Sequence, residues 1–342
     1  MKTYSLIVMC FLVLLQAGPG LAAPAKAPGT QLSQPHQGQE PERVEFGIYV
    51  LDIDEISGQD QNFAANFFLV LRWKDKRLAH DDPSARMLPV EQVWHPLVVL
   101  TNRQAGVRMP LPQIVKIDPD GTVTYRQQYV GPLSQRLRLH DFPLDTQTFN
   151  IHFAIAGVPL GEIDLVPAEF SASLKGGGMA EVLSLPDWGI LSYKAEVRPY
   201  KVSDDLEVSG FAFEFVAKRY AGYFIWQAAM PLVLIVMMSW VPFWVDPEKG
   251  ELQFAIAGSA VLTLIAFRFT LAWMLPPLPY LTRMDLLTIS GTILVFTAFL
   301  QVVMTSLLAH SQRLRLARGI DHVCRVIFPI AFIALIVWSL FL

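Results

Sequence analysis

Cysteine is almost absent from this chain. Of two in 342 residues, Cys10 lies in a short apolar stretch at the N-terminus and Cys324 in the last apolar run. Once that N-terminal stretch is removed on export, no intrachain disulfide can form and no metal site can rest on thiolates. Charge is also scarce: 17% of residues are charged against 53% hydrophobic, too apolar for an ordinary soluble protein. The formal net charge of −3, with no basic tract, argues against a nucleic-acid partner. There is no Gly-x-Ser-x-Gly elbow, no His-Glu-x-x-His pair and no glycine-rich phosphate loop. Enzymatic hydrolysis is therefore not expected, and no cofactor is implied.

What is present is unevenly distributed. Residues 1–23 read as a signal peptide: Lys2, an apolar core from Leu6 to Leu15, then the small-residue exit Leu21-Ala22-Ala23. Residues 24–42, rich in Pro, Gln and Ala, read as a flexible leader. From 43 to 219, short segments alternate apolar and polar residues, as in Phe149-Asn150-Ile151-His152-Phe153 and Phe211-Ala212-Phe213-Glu214-Phe215. Turn signals separate them, among them Pro119-Asp120-Gly121, Gly157-Val158-Pro159, Gly176-Gly177-Gly178 and Ser203-Asp204-Asp205. Many short half-buried strands at this spacing predict an all-β sandwich.

Four apolar segments follow, 220–245, 251–275, 284–309 and 320–342, each long enough to cross a hydrocarbon core of ~30 Å. Starting outside, four crossings return the C-terminus to the outside. Arg313, Arg315 and Arg318 then fall in an inner loop, in keeping with the inward bias of positive charge. An exported N-terminal domain on the bacterial inner membrane is the expected location. The second segment carries an unusual stripe at helical spacing: Glu251, Ala255, Ser259, Leu262, Ala266, Phe269 and Trp273. It runs from an acid through small residues to bulky apolar ones. A carboxylate at the mouth of a membrane helix calls for water, a partner or an ion path, so this helix is expected to line a pore.

Further motifs stand in a fixed order: Trp73-Lys74-Asp75-Lys76-Arg77-Leu78, Trp94-His95-Pro96, Pro119-Asp120-Gly121 and Phe142-Pro143-Leu144-Asp145-Thr146-Gln147. Arg219 precedes the first apolar segment, Pro231 lies within it, and Pro276 to Tyr280 follows the second. Together they resemble the pentameric ligand-gated ion channels, the Cys-loop receptor superfamily, in its bacterial branch. The similarity runs from about Gly47 to the C-terminus. It implies a sandwich of about ten strands on a four-helix transmembrane bundle, with five identical copies around a pore lined by the second helix. The positions of the family's signature cysteines hold Gln135 and Phe149, as in bacterial members that lack the bridge.

The resemblance also implies roles. Glu251, Ala255 and Ser259 would form the selectivity region, and Leu262, Ala266 and Phe269 the gate. Gly250-Glu251-Leu252 stands where the family's anion channels have a Pro-Ala-Arg-like stretch, so monovalent cations are the expected permeant ions. Arg268, basic and near the pore, works against that preference; it would either snorkel or pair across helices with Asp285. Coupling would pass through Phe142, Pro143, Asp145, Arg219, Pro279 and Tyr280, with Asp60 the nearest candidate to join the Asp145–Arg219 pair. Phe68 and Tyr200 are candidates for an intersubunit ligand site. The loop around Ala156, which normally supplies a central aromatic, has none, so a full amine cage is not expected. The agonist is either a small molecule or protons, and among seven histidines none falls in the second helix, where Leu264 holds the relevant position. A membrane-anchored sensor that conducts nothing is the alternative.

Overall fold

The computed structural model describes residues 33–35, 40–171, 174–271 and 278–341. The expected signal peptide, most of the leader, Trp273 and the Pro276–Pro277 pair lie outside them. Among the described residues, fifteen strands precede four helices. The strands are β1 (Glu42–Ser57), β2 (Asn62–Lys74), β3 (Arg86–Pro89), β4 (Leu97–Leu100), β5 (Ile114–Ile117), β6 (Thr122–Ser134) and β7 (Thr146–Ala156). After them come β8 (Ile163–Pro167), β9 (Glu169–Ser171), β10 (Leu174–Lys175), β11 (Gly177–Met179) and β12 (Trp188–Val197). The last three are β13 (Tyr200–Ser203), β14 (Leu206–Val208) and β15 (Gly210–Arg219). The expected ten become fifteen because rim segments of two to four residues pair as separate short strands.

Two sheets face each other. One runs β11-β1-β2-β6-β5-β3 with β8 also on β1; the other runs β12-β15-β7-β4. Period-two alternation is the reason they stack. In β2, Phe63, Ala65, Phe67, Leu69, Leu71 and Trp73 turn inward while the residues between them point out. Aromatic rings fill the space between the sheets: Phe46 stacks on Phe211 at 4.4 Å, and Phe149 on Phe215 at 4.9 Å. One turn reading is corrected. Gly176 does turn, at φ +69°, but Gly177 and Gly178 belong to β11, paired in parallel with Ile48 and Tyr49. A Cβ on Gly177 would lie 2.8 Å from the Ile48 carbonyl and from the Phe213 ring, so glycine here permits close packing inside a strand.

The helices are α1 (Gly222–Trp244), α2 (Gly250–Leu271), α3 (Arg283–His310) and α4 (Leu314–Phe341), each long and apolar enough to cross a membrane. Pro231 is accommodated by a π-helical turn, Ile225–Ala229, just before it, where the carbonyl that a proline would crowd is already displaced. The fourth helix starts six residues earlier than its apolar run, so Arg315 and Arg318 sit on a helix and not in a loop. Apolarity alone misses this arginine-bearing start, from which Arg318 pairs with Asp246 and Glu248. Within the bundle, α3 packs against α1, α2 and α4. The sandwich core also continues into the helices, since Ala228 and Met284 belong to it and Phe224, Leu278 and Tyr280 pack on it.

Candidate functional site

Where strands meet helices, a buried ion pair organises the boundary. The Phe142-Pro143 peptide is cis, and the chain from there into β7 carries Asp145. Arg219, the last residue of β15, donates from Nε to Asp145 Oδ1 at 2.8 Å and from Nη2 to Oδ2 at 3.4 Å. Its backbone N–H reaches the Asp145 carbonyl at 3.1 Å. Both side chains are almost wholly buried, 5% and 1% exposed. Three rings surround the guanidinium: Trp188 at 4.1 Å, Phe142 at 5.1 Å and Phe224, from α1, at 5.7 Å. Gln147 Nε2 donates to Asp145 Oδ2 at 2.7 Å, which completes the carboxylate's coordination.

Asp60 does not join this cluster. It sits in the β1–β2 turn, where its carboxylate accepts from the Ser57 hydroxyl at 2.9 Å. The third partner is Gln147, a residue of the Phe142–Gln147 motif whose role had not been assigned. It stands two residues beyond Asp145, at the start of β7, and its side chain turns back onto that carboxylate.

The stretch just before Phe142 docks on the helices. The Leu139 N–H donates to Tyr280 Oη at 3.1 Å, and the His140 ring stacks on Tyr280 at 3.8 Å. Arg283 reaches Asp141 at 2.7 Å, and its backbone N–H bonds the His140 carbonyl. Pro279 is exposed beside this contact. Arg283 and His140 were not foreseen as junction residues, because neither belongs to a pattern of its own.

Helix α2 has two opposite faces. Gln253, Ala257, Ala260 and Leu264 are buried against the bundle. Glu251, Ala255, Ser259, Leu262, Ala266 and Phe269 are all exposed, Leu262 and Phe269 at 70% each. At 3.6 residues per turn the two sets lie about 180° apart. The Ser259 hydroxyl donates back to the Ala255 carbonyl at 2.8 Å, so its oxygen presents lone pairs outward. Arg268 is exposed and lies about 100° round the helix from Phe269. Of the two alternatives for Arg268, the pair with Asp285 is not formed within the chain: Asp285 instead closes a capping box with Thr282 at the start of α3.

The three ligand-site candidates do not share a pocket within one chain. Phe68 lines a groove of about 580 Å³ on the outer side of β1 and β2, with Tyr49, Val70, Leu111 and Arg126. Ala156 lines a smaller hollow of about 200 Å³ beside Trp94 and His95. Tyr200 stands edge-on to His152 at 5.3 Å on the β13–β14 hairpin. His152 Nε2 lies 3.2 Å from the Arg198 carbonyl, while the Arg198 guanidinium pairs with Glu196 and Glu214. Burial pushes the His152 imidazole below its ordinary value, and the nearby Arg198 charge adds to this against the carbonyl's opposing effect.

Removing one member of the buried pair should cost far more than removing Asp60. Asp145→Ala is expected to destabilise by about 3–5 kcal/mol, and Asp60→Ala by about 0.5 kcal/mol or less. Thermal unfolding of the purified variants gives the comparison, and equal losses would refute the distinction.

The sequence was compared with known proteins. Residues 30–220, more than half of the chain, match the family described as neurotransmitter-gated ion-channel ligand binding domain. A proton-gated ion channel of Gloeobacter violaceus is 26% identical over 306 residues, covering 87% of this chain and 82% of that protein. The gamma-aminobutyric acid receptor subunit beta-4 of Gallus gallus is 27% identical over 278 residues, 78% of this chain and 56% of the subunit. A gamma-aminobutyric acid receptor subunit beta-like protein of Drosophila melanogaster is 26% identical over 287 residues, 78% of this chain and 57% of its own length. The matched segment covers every strand of the two-sheet sandwich, and the longer alignments extend beyond it. The chain belongs to the neurotransmitter-gated ion-channel family, among the pentameric Cys-loop-type ligand-gated channels.

Proposed function

We propose that five copies of this chain form a cation-selective channel in the bacterial inner membrane, opened by a small ligand or by protons. In this reading residues 1–23 are a cleaved signal and 24–42 a leader; residues 43–219 face the periplasm and 220–342 span the membrane. The observation that carries it is that the set graded from acid to apolar runs along the middle of the broad exposed side of α2, opposite buried Gln253, Ala257, Ala260 and Leu264. In a single chain that exposed side could face lipid. Glu251 at its start is costly there, and a water-filled lumen shared by five copies removes the cost.

Each residue then has a physical task. A ring of Glu251 carboxylates at the inner mouth concentrates cations and repels anions. Ser259 oxygens, with their protons turned back onto Ala255, offer acceptors to a partly dehydrated cation. Rings of Leu262 and Phe269, with Ala266 between them, leave an apolar constriction that empties of water and stops ions without a plug. Arg268 stands off the lumen stripe, which limits its opposition to cation entry.

Opening requires an agonist that binds the open arrangement more tightly. A rotation of the sandwich would reach the helices through Phe142, Pro143, Asp145 and Arg219, and through the Leu139–Asp141 segment seated on Tyr280 and Arg283, with Pro279 next to them in the chain. Phe68 and Tyr200, apart within one chain, would approach across a subunit boundary, with Ala156 leaving room where an aromatic would otherwise stand.

In reversal-potential measurements across a sodium chloride gradient, Glu251→Gln should lower the preference for sodium; an unchanged potential would refute the ring. Leu262→Ser should wet the constriction and raise current without stimulus, and a silent but assembled variant would place the gate elsewhere. His152 gives a pH dependence whose sign follows from its lowered value. Its folded-state affinity for protons is weaker than in the unfolded chain, so its stabilising contribution is complete above about pH 6.5 and lost as pH falls below it. Thermal midpoints should therefore drop more steeply with acidification in the parent than in His152→Asn. Identical slopes would remove His152 as a proton-responsive group.

A further inference from the structure

Helix α4 is the peripheral helix of the bundle, and one side of it shows exposed Val326, Ile327, Ile330 and Ile333. Its other side is unlike a lipid-facing helix. Arg318, Asp321, Arg325 and Phe328 recur at intervals of three, four and three residues; Arg318, Arg325 and Phe328 reach toward the segment that leads into α2, and Asp321 toward α3 and α2 themselves.

Arg318 Nη2 pairs with Asp246 at 3.1 Å and with Glu248 at 3.1 Å, both in the turn between α1 and α2. The Arg325 Nε donates to the Phe243 carbonyl at 2.8 Å, and its guanidinium covers the Trp244 ring at 4.8 Å. Phe328 meets the Phe243 ring edge-on at 5.6 Å. Between these, Asp321 is 1% exposed. It accepts from Gln301 Nε2 of α3 at 2.6 Å and, at a long 3.5 Å, from Gln253 Nε2 of α2.

Gln253 is the point of transfer. It is completely buried, and the same Nε2 donates to the carbonyls of Pro242 at 3.1 Å and Val245 at 2.8 Å. Its two N–H hydrogens serve those carbonyls and tie the first turn of α2 to the end of α1, while the 3.5 Å approach to Asp321 adds a weaker polar contact with α4. The approach to α3 is equally tight, since a Cβ on Gly250 would come within 2.7 Å of Ser306 Oγ. Glu251 lies two residues before Gln253, on the far side of the same turn, so any rotation of that turn moves its carboxylate directly.

We propose that Arg318, Asp321 and Arg325 form a clasp through which α4 fixes the rotation of the first turn of α2 and so tunes the charge ring at Glu251. These are positioning residues: they touch neither ions nor lumen, and they act through Gln253 and the Asp246–Lys249 turn. The proposal rests on the pore reading given above. It differs from simple helix packing because ion preference depends on the radius and aim of five carboxylates, whereas packing alone governs assembly and stability.

The test uses the full-length channel in planar bilayers, with assembly checked by size-exclusion chromatography. Asp321→Ala is expected to lower the sodium-to-chloride permeability ratio by about threefold. Asp321→Asn, which keeps an acceptor for Gln301, should fall between it and the parent. Arg325→Gln should shift the ratio in the same direction, and Val326→Ala on the exposed side of α4 should leave it unchanged. A cysteine placed by Glu251→Cys should react with a charged thiol reagent at a different rate in the Asp321→Ala background. Assembled Asp321→Ala and Arg325→Gln channels with the parental ratio and reaction rate would overturn the clasp. If Asp321→Ala does not assemble, Arg325→Gln decides the matter. The pore reading fails separately: it falls if Glu251→Gln changes nothing, whereas the clasp alone falls if Glu251→Gln shifts the ratio and the α4 variants do not.

Discussion

A guanidinium and a carboxylate buried together at the end of the sandwich hold the two halves of the molecule in register. Arg219 closes the last strand and stands three residues before α1, so its position fixes where the first helix begins. Burial of two charges is costly, and this pair is tolerated because each group is otherwise satisfied. Asp145 accepts from Arg219 and Gln147, and the guanidinium lies over Trp188 with Phe142 and Phe224 close by. One of those rings belongs to the helices, so the charge pair and the helix start are one packed unit.

The second junction works by different means. Leu139, His140 and Asp141 meet Tyr280 and Arg283 through a mixture of stacking, backbone bonding and an ion pair whose Asp141 side is largely exposed. An exposed pair is weak and exchangeable compared with a buried one. The molecule therefore combines a stiff link at α1 with a softer one at the start of α3. The first is held by buried charge and aromatic packing, the second by contacts that solvent reaches.

Much of this was legible in the sequence, for reasons that differ by element. Alternation revealed β2, β7 and β15 because each buries one face only. The α2 stripe was legible because an acid, small residues and bulky apolar ones follow one another at helical spacing from Glu251 to Phe269. His140, Arg283 and Asp321 were not read as site residues, since their partners lie on other elements and no local pattern marks them; Gln147 stood inside the Phe142–Gln147 motif, two residues from Asp145, but an amide there does not announce a bond to the carboxylate. Asp60 illustrates the reverse failure: an acid in the right turn, satisfied instead by Ser57 three residues away. The early start of α4 escaped for a similar reason, because an arginine-bearing helical turn does not look apolar.

Strand β1 carries one further consequence. Its outer margin is paired along Glu42–Phe46 by β8 and along Ile48–Val50 by β11, both parallel to it. The main-chain donors and acceptors that could have zipped onto a neighbouring molecule there are already occupied. A copy approaching from that side must meet side chains, which can slip past one another without breaking a ladder of amide bonds. An edge closed in this way cannot extend its sheet into a second molecule along Glu42–Phe46 and Ile48–Val50.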